Sequence, residues 1–365
     1  MAAEKLADLV QASDRSGSVL ITVYDRMSSV GRKFLLAGRG GLNLTHSEDL
    51  AAFMSRYKGS QAKLEAALTH FPPAALRAWS EELGEPTFVG SSGRVFPKSF
   101  KASPLLRAWL RRLTGKGVQF ALRHQFDGVS QWPDAQRSQA SLSFITPDGP
   151  RSIAADGVIF ALGGASWPRL GSTGDWVSVF ISAGIDVAPL KPSNCGFELA
   201  WSAIFRDRFA GHPLKGASFH VADQEIRGEA MVTAAGMEGG AIYALSPSLR
   251  DVIAAEGSAR LVLDLKPDVS ALQLADRLAK HRTGDSLTSQ LRKLGLSPVA
   301  IGLMREAHGR DLPSKPEALA AAIKQVTLRL DAPMPIARAI SSAGGVRFDE
   351  LTPDFMLAQH PGLFS

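Results

Sequence analysis

The stretch VGRKFLLAGRGGLNLTHS, residues 30–47, decides how the rest of the chain is read. It sets the glycines Gly38, Gly40 and Gly41 beside the cations Arg32, Lys33 and Arg39. Glycine lets the backbone take positive φ and approach a ligand closely, while guanidinium and ammonium groups put charge next to it. That combination suits a pyrophosphate. Just upstream, SVLITVY at residues 18–24 reads as a buried parallel strand ending in Asp25, where dinucleotide folds place the acid that binds ribose hydroxyls. A basic glycine loop alone is more often a solvated turn, but strand, acid and loop in this order favour a ligand.

Working outward, residues 2–10 place Leu6, Leu9 and Val10 at helical spacing, followed by a polar turn and the strand. A dinucleotide unit begins strand, G-x-G-x-x-G, helix, with the ribose acid about 20 residues after the glycines. Counting back from Asp25 puts those glycines just ahead of Met1, so the chain is expected to start late. Downstream, residues 49–70 read as helix and Pro72-Pro73 opens another that runs to Leu83. GSSGRVFPKSF at residues 90–100, with two cations, reads as a connecting loop, with an extension of the anion site as the alternative. SPLLRAWLRRL at residues 103–113 gathers Leu105, Leu106, Trp109, Leu110 and Leu113 on one face with arginines on another, the pattern of a helix that covers a sheet.

Residues 118–122, 125–132, 141–146 and 151–154 alternate or cluster apolar side chains between turns, as in a small antiparallel excursion. DGVIFALGG at residues 156–164 is a second buried strand whose Ala161, Gly163 and Gly164 permit close approach of an adenosine. Ser172, Thr173 and Gly174 precede a helix at residues 175–183 and could cap that helix or contact a ligand, capping being a sufficient role by itself. Composition changes at residues 189–192. Residues 197–265 then read as β-rich and residues 271–281, 286–294, 299–308 and 316–325 as helices, before a small-residue strand reaches Gly344 and Gly345.

Composition bounds the function. The 365 residues, 45% hydrophobic and 21% charged, describe an ordinary soluble globular chain. The formal charge of +6 reflects 41 basic against 35 acidic residues, scattered without a tail, so anionic small molecules are favoured and no nucleic acid is expected. No apolar run nears the roughly 18 residues that span a bilayer, and the N-terminus lacks a signal pattern, so no membrane is expected and a cytoplasmic location is. A lone Cys195 excludes an internal disulfide, and the eight histidines show no metal spacing. Neither a G-x-x-x-x-G-K-[ST] loop nor a G-x-S-x-G elbow occurs. His46 alone among the histidines neighbours the glycine loop. Missing acid and base machinery fits an enzyme whose cofactor does the chemistry.

Six stretches carry a resemblance: VYDRMSSVGRKFLLAGRGGLNLTHSE, GRVFPKSFKASPLLRAWL, ALGGASWPRLGSTGD, the PSNCGFE and FAGHPLKG pieces, and SAGGVRFDEL. In this order the chain resembles the bacterial BaiN/RdsA-type two-dinucleotide-binding flavoproteins, NAD(P)/FAD-dependent oxidoreductases. The resemblance implies an α/β fold: an incomplete FAD/NAD(P)-binding Rossmann-like domain with an inserted β-barrel and helical module. The expected boundaries are 1–190 for the FAD-binding domain, 191–335 for the insert and 336–365 for the return.

Carried over by position, Asp25 would bind the adenosine ribose, and Arg32, Lys33, Gly38, Gly40, Gly41 and Asn43 would lie along FAD. Ala161, Gly163 and Gly164 would line its adenosine side, with Gly344, Gly345 and Val346 near the flavin. The implied reaction passes hydride from NAD(P)H through flavin to a small-molecule acceptor. The alternative is a non-catalytic remnant or binding module. Against the family pattern the chain is expected to be shortened at both ends, without the first strand and G-x-G-x-x-G, and to bind FAD weakly or not at all.

Overall fold

The computed structural model describes residues 1–13, 19–37, 41–134, 138–280, 285–309 and 311–365. These form two compact units. One comprises Met1–Gly163, Pro168–Ala188 and Gly345–Ser365, and the other Gly164–Trp167 and Pro189–Gly344.

In the first unit the strand Thr22–Asp25 pairs in parallel with Gln119–Leu122, Thr22 opposite Gln119 and Asp25 opposite Leu122. The intervening chain includes the helix Ala102–Gly115, and a parallel pair requires such a long crossover. This corrects the expectation that residues 118–122 belong to an antiparallel excursion; only the strands Gln125–Gln131, Ala140–Thr146 and Gly149–Ala155 do. The helix buries Leu105, Leu106 and Leu113, each contributing about 1.5–3 kcal/mol on burial. Together with Ala7 of the helix Ala2–Ala12 and Val118, Leu113 forms a small apolar cluster against Ile21, Val23 and Phe120. The first helix is pinned there by a carboxylate. Glu4 is 7% exposed and accepts from the indole N–H groups of Trp79 (3.1 Å) and Trp109 (2.7 Å) and from Arg112 (3.1 Å). A buried carboxylate persists only when so partnered.

A second cluster of this unit gathers Leu142, Phe144, Phe180, Ile185 and Leu363, with Tyr24, Val158 and Phe160 packed against it. The predicted strand at residues 156–164 is ordered as a strand only over Val158–Ile159, because its parallel partner is the two-residue Leu363–Phe364. The unit's parallel strands thus remain two separate pairs on a shared apolar cluster, with no ladder joining them among the described residues. The expected helix at 49–70 divides into Leu50–Ser55, a 3₁₀ turn and Gln61–His70. Gly59 sits in that turn, where helix costs about 1 kcal/mol relative to alanine.

The second unit is built on an antiparallel seven-stranded sheet ordered Val326–Leu330, Ala259–Asp264, Pro213–Val221, Gln224–Thr233, Gly236–Glu238, Phe197–Glu198, Ala332–Pro333. Among the described residues no pairing closes it, so the expected barrel is not borne out. The two outermost strands are successive pieces of one chain segment joined at Asp331, and the last is two residues long and ends in a proline that has no N–H to donate. The segment expected to be β-rich also holds the helices Ala203–Phe209 and Gly240–Glu256, the latter with Pro247 inside it. Four further helices follow: Ala271–Ala279, Leu287–Lys293, Pro298–His308 and Pro316–Lys324. Ser270, Ser286 and Ser297 cap the first three through their hydroxyls.

Candidate functional site

The candidate loop folds along one segment of its own unit. A side chain at Gly31 would meet the methyls of Leu106 at 2.8 Å, and one at Gly41 would meet the carbonyl oxygen of Phe100 at 3.0 Å. Between them the Phe34 ring lies 6.1 Å from that of Trp109. Glycine is therefore favoured at both positions, by contact and by φ of 71° and 93°.

The predicted residues divide. Lys33 extends its Nζ to 3.4 Å from the hydroxyl of Ser172, and partial burial pulls its pKa below the ordinary lysine value. Arg32 turns back onto its own loop and donates to Ser28 and Ser29, both at 3.0 Å. Asp25 accepts the Met27 N–H at 2.8 Å through one oxygen, closing the turn that follows the strand. With its amide turned so that the nitrogen faces them, Asn43 donates to the carbonyls of Thr45 (2.8 Å) and Val95 (3.2 Å), beside the short strand Thr45–His46. Gly38 and Gly40 lie outside the described residues.

Ala161 and Gly163 are exposed. Gly163 has φ 75°, its carbonyl accepts the Trp176 indole N–H at 2.8 Å, and a Cβ there would fall 3.3 Å from the Ser172 hydroxyl. Gly345, with φ 123°, faces open space, and Val346 packs on the apolar cluster of its unit. Gly164 and Gly344 belong to the other unit. There Gly164 is explained by packing, since a Cβ would sit 2.3 Å from the hydroxyl of Ser342.

The structure adds residues whose part the sequence did not assign. Arg26 Nη1 donates to the Thr173 hydroxyl at 2.6 Å and lies 3.3 Å from the Asp175 carboxylate, while its Nη2 reaches Gln125 at 3.4 Å. The expected capping role of Ser172 and Thr173 is corrected: the helix Trp176–Ser182 has no side-chain cap, and the Thr173 hydroxyl donates to Asp175 at 2.7 Å. Ser172, 4% exposed, and Thr173 sit between Gly171 and Gly174, both left-handed at 102° and 75°. Two cations from the chain after the first strand thus meet two hydroxyls from a G-S-T-G turn. The signal was the position of Arg26 directly after Asp25 and the hydroxyl pair between two glycines.

His46 is held in place by its own surroundings. Its Nε2 donates to the Ser92 carbonyl at 3.0 Å and its Nδ1 accepts the Glu48 N–H at 3.3 Å. Among the described residues no group of three or more histidine, cysteine or acidic side chains is placed to hold a metal, and no helix is long and apolar enough to cross a membrane. A shallow cleft of about 440 Å³, lined by Asp127, Trp132, Ser178 and Ser182 among others, includes none of the candidate residues and no cation.

Over residues 6–365 the chain matches the HI0933-like protein Rossmann domain family. It belongs to that family. The resemblance read from the motifs is thereby shown, and the chain is 24% identical to the 3-dehydro-bile acid delta(4,6)-reductase of Clostridium scindens over 96% of its own length and 86% of that protein's. Among solved structures it is similar to the 3-ketosteroid-delta4-(5alpha)-dehydrogenase of Rhodococcus jostii RHA1, at 12% identity and TM-score 0.46, covering 99% of this chain and 87% of that one. It is also similar to E. coli quinol fumarate reductase FrdA, at 13% identity and TM-score 0.46, covering 99% and 62%.

Proposed function

We propose that this chain is a flavin-dependent oxidoreductase that binds FAD reversibly and takes reducing equivalents from a reduced nicotinamide for a small-molecule acceptor. The observation that carries this is the convergence of Lys33 and Arg26 on the hydroxyls of Ser172 and Thr173, in a chain of the HI0933-like family. The residues fit the anionic half of FAD. Two cations offset the charge of a diphosphate, and exposed Gly163 admits a ligand against bare backbone. Asp25 closes the strand at which the ribose would lie. Arg32, Gly41 and Asn43 act by holding the backbone of their own stretches in place.

Bound flavin would supply acceptance of hydride and its delivery to the acceptor. The protein's own residues neutralise phosphate charge and hold the loop. The Clostridium scindens relative is named for a 3-dehydro-bile acid, which makes such compounds the first acceptors to screen.

A second reading, a binding module without catalysis, is favoured by one observation. The strand Thr22–Asp25 is half-buried along its whole length and, among the described residues, has a single partner strand, whereas strands of parallel sheets are ordinarily buried on both faces. Purified protein titrated with FAD and then supplied with NADH or NADPH separates the two. Saturable binding with nicotinamide oxidation supports the oxidoreductase; saturable binding without oxidation supports the module; no binding removes the cofactor reading.

A further inference from the structure

We propose that Phe100 is the residue on which the isoalloxazine ring of the flavin stacks, an inference that rests on the flavin reading above. Phe100 follows the antiparallel strands Thr87–Val89 and Arg94–Pro97, in which Phe88 and Phe96 are cross-strand partners with ring centroids 5.9 Å apart. The Phe100 ring lies 4.9 Å from Phe88 and 6.4 Å from Phe96, inclined only 26° to the latter. Two rings therefore brace a third. The braced ring is nonetheless 52% exposed.

Its backbone is strained as well, with φ 56°, a region phenylalanine rarely enters. Burial does not account for a strained aromatic that stays half in solvent, and such outliers cluster where ligands are gripped. What Phe100 touches indicates the ligand. Its carbonyl and its Cδ1 lie 3.0 and 3.1 Å from where a side chain at Gly41 would start, and Gly41 stands eight positions after Lys33 in the sequence. Lys33 thus places an ammonium within the cation and hydroxyl group, and Gly41 meets a preorganised aromatic face. FAD has the matching halves, an anionic diphosphate and a flat conjugated ring, and aromatic rings associate by offset stacking.

The test compares FAD with ADP, which has the diphosphate and no isoalloxazine, on the full chain carrying Phe100→Ala or Phe100→Trp. Stacking at Phe100 predicts that Phe100→Ala weakens FAD about tenfold and leaves ADP unchanged. It further predicts that Phe100→Trp retains FAD affinity and that its indole emission is quenched as FAD binds. Circular dichroism verifies folding, and the tryptophan variant carries the test if the alanine variant does not fold. Equal effects of Phe100→Ala on FAD and ADP, or none on either, or unquenched indole emission at saturating FAD, overturn the proposal while leaving the cofactor site intact. Failure of the unsubstituted protein to bind FAD or ADP overturns both.

Discussion

The two units solve the problem of stability differently. The second gathers Phe219, Val232, Leu245, Leu263, Leu303, Ile323 and many others into one continuous apolar cluster beneath a seven-stranded sheet. The first spreads its apolar side chains over smaller clusters and sheets of two or three strands, and ties a helix down with the buried carboxylate of Glu4. All the cation and hydroxyl contacts of the candidate site fall in this less consolidated unit. The contrast teaches that elements with modest packing can be the ones that present exposed glycines and partly buried cations to a ligand, because they are not committed to a core.

Breaking the comparison at its strong side has the largest expected effect. Phe219→Ala removes a fully buried ring and should cost about 3–5 kcal/mol in urea unfolding; a cost under about 1 kcal/mol contradicts the place given to that cluster. Glu4→Ala comes next, at about 2–3 kcal/mol, since two indole N–H groups lose their acceptor while Arg112 keeps Glu82 at 3.5 Å. Hydrogen exchange along the helix Ala102–Gly115 should rise in that variant. Unchanged protection there means the carboxylate does not pin the unit.

The smallest effect sharpens the contrast by pH. Burial lowers the pKa of Lys33, so the unfolded chain holds that proton more tightly. Stability of the free protein should then rise with pH between the folded value and the ordinary lysine value. Affinity for FAD should fall over the same interval, because the neutral amine no longer attracts a diphosphate. Lys33→Met should abolish both trends, read by thermal scans and FAD titration. Parallel rather than opposed trends would show that Lys33 does not face the ligand.

How much the sequence revealed follows the same division. The capped helices of the second unit were legible because serine before an apolar 3.6-residue period specifies a helix locally, as at Ser270 and Ser297. The open edge of its sheet was not, since hydrogen-bonding between outer strands depends on register and on Pro333, not on pattern. Lys33 was legible from its glycine-rich surroundings. Ser172 and Thr173 were visible as cap or ligand contacts, with the cap sufficient, because nothing local says that their hydroxyls meet cations some 140 positions earlier in the chain. The turned-back guanidinium of Arg32 and the forward reach of Arg26 are a choice of rotamer that residue type does not encode.

The central claim is that Arg26, Lys33, Ser172 and Thr173 receive the diphosphate of FAD. Calorimetric titration of FAD and of riboflavin, which has no phosphate, into the unsubstituted protein and its Arg26→Ala and Lys33→Ala variants tests it most directly. Each substitution is predicted to weaken FAD about 10–100-fold, the worth of a hydrogen bond to a charged group, and to leave the weaker riboflavin binding unchanged. FAD affinity that is equal in all three proteins, or no higher than that of riboflavin, would contradict it.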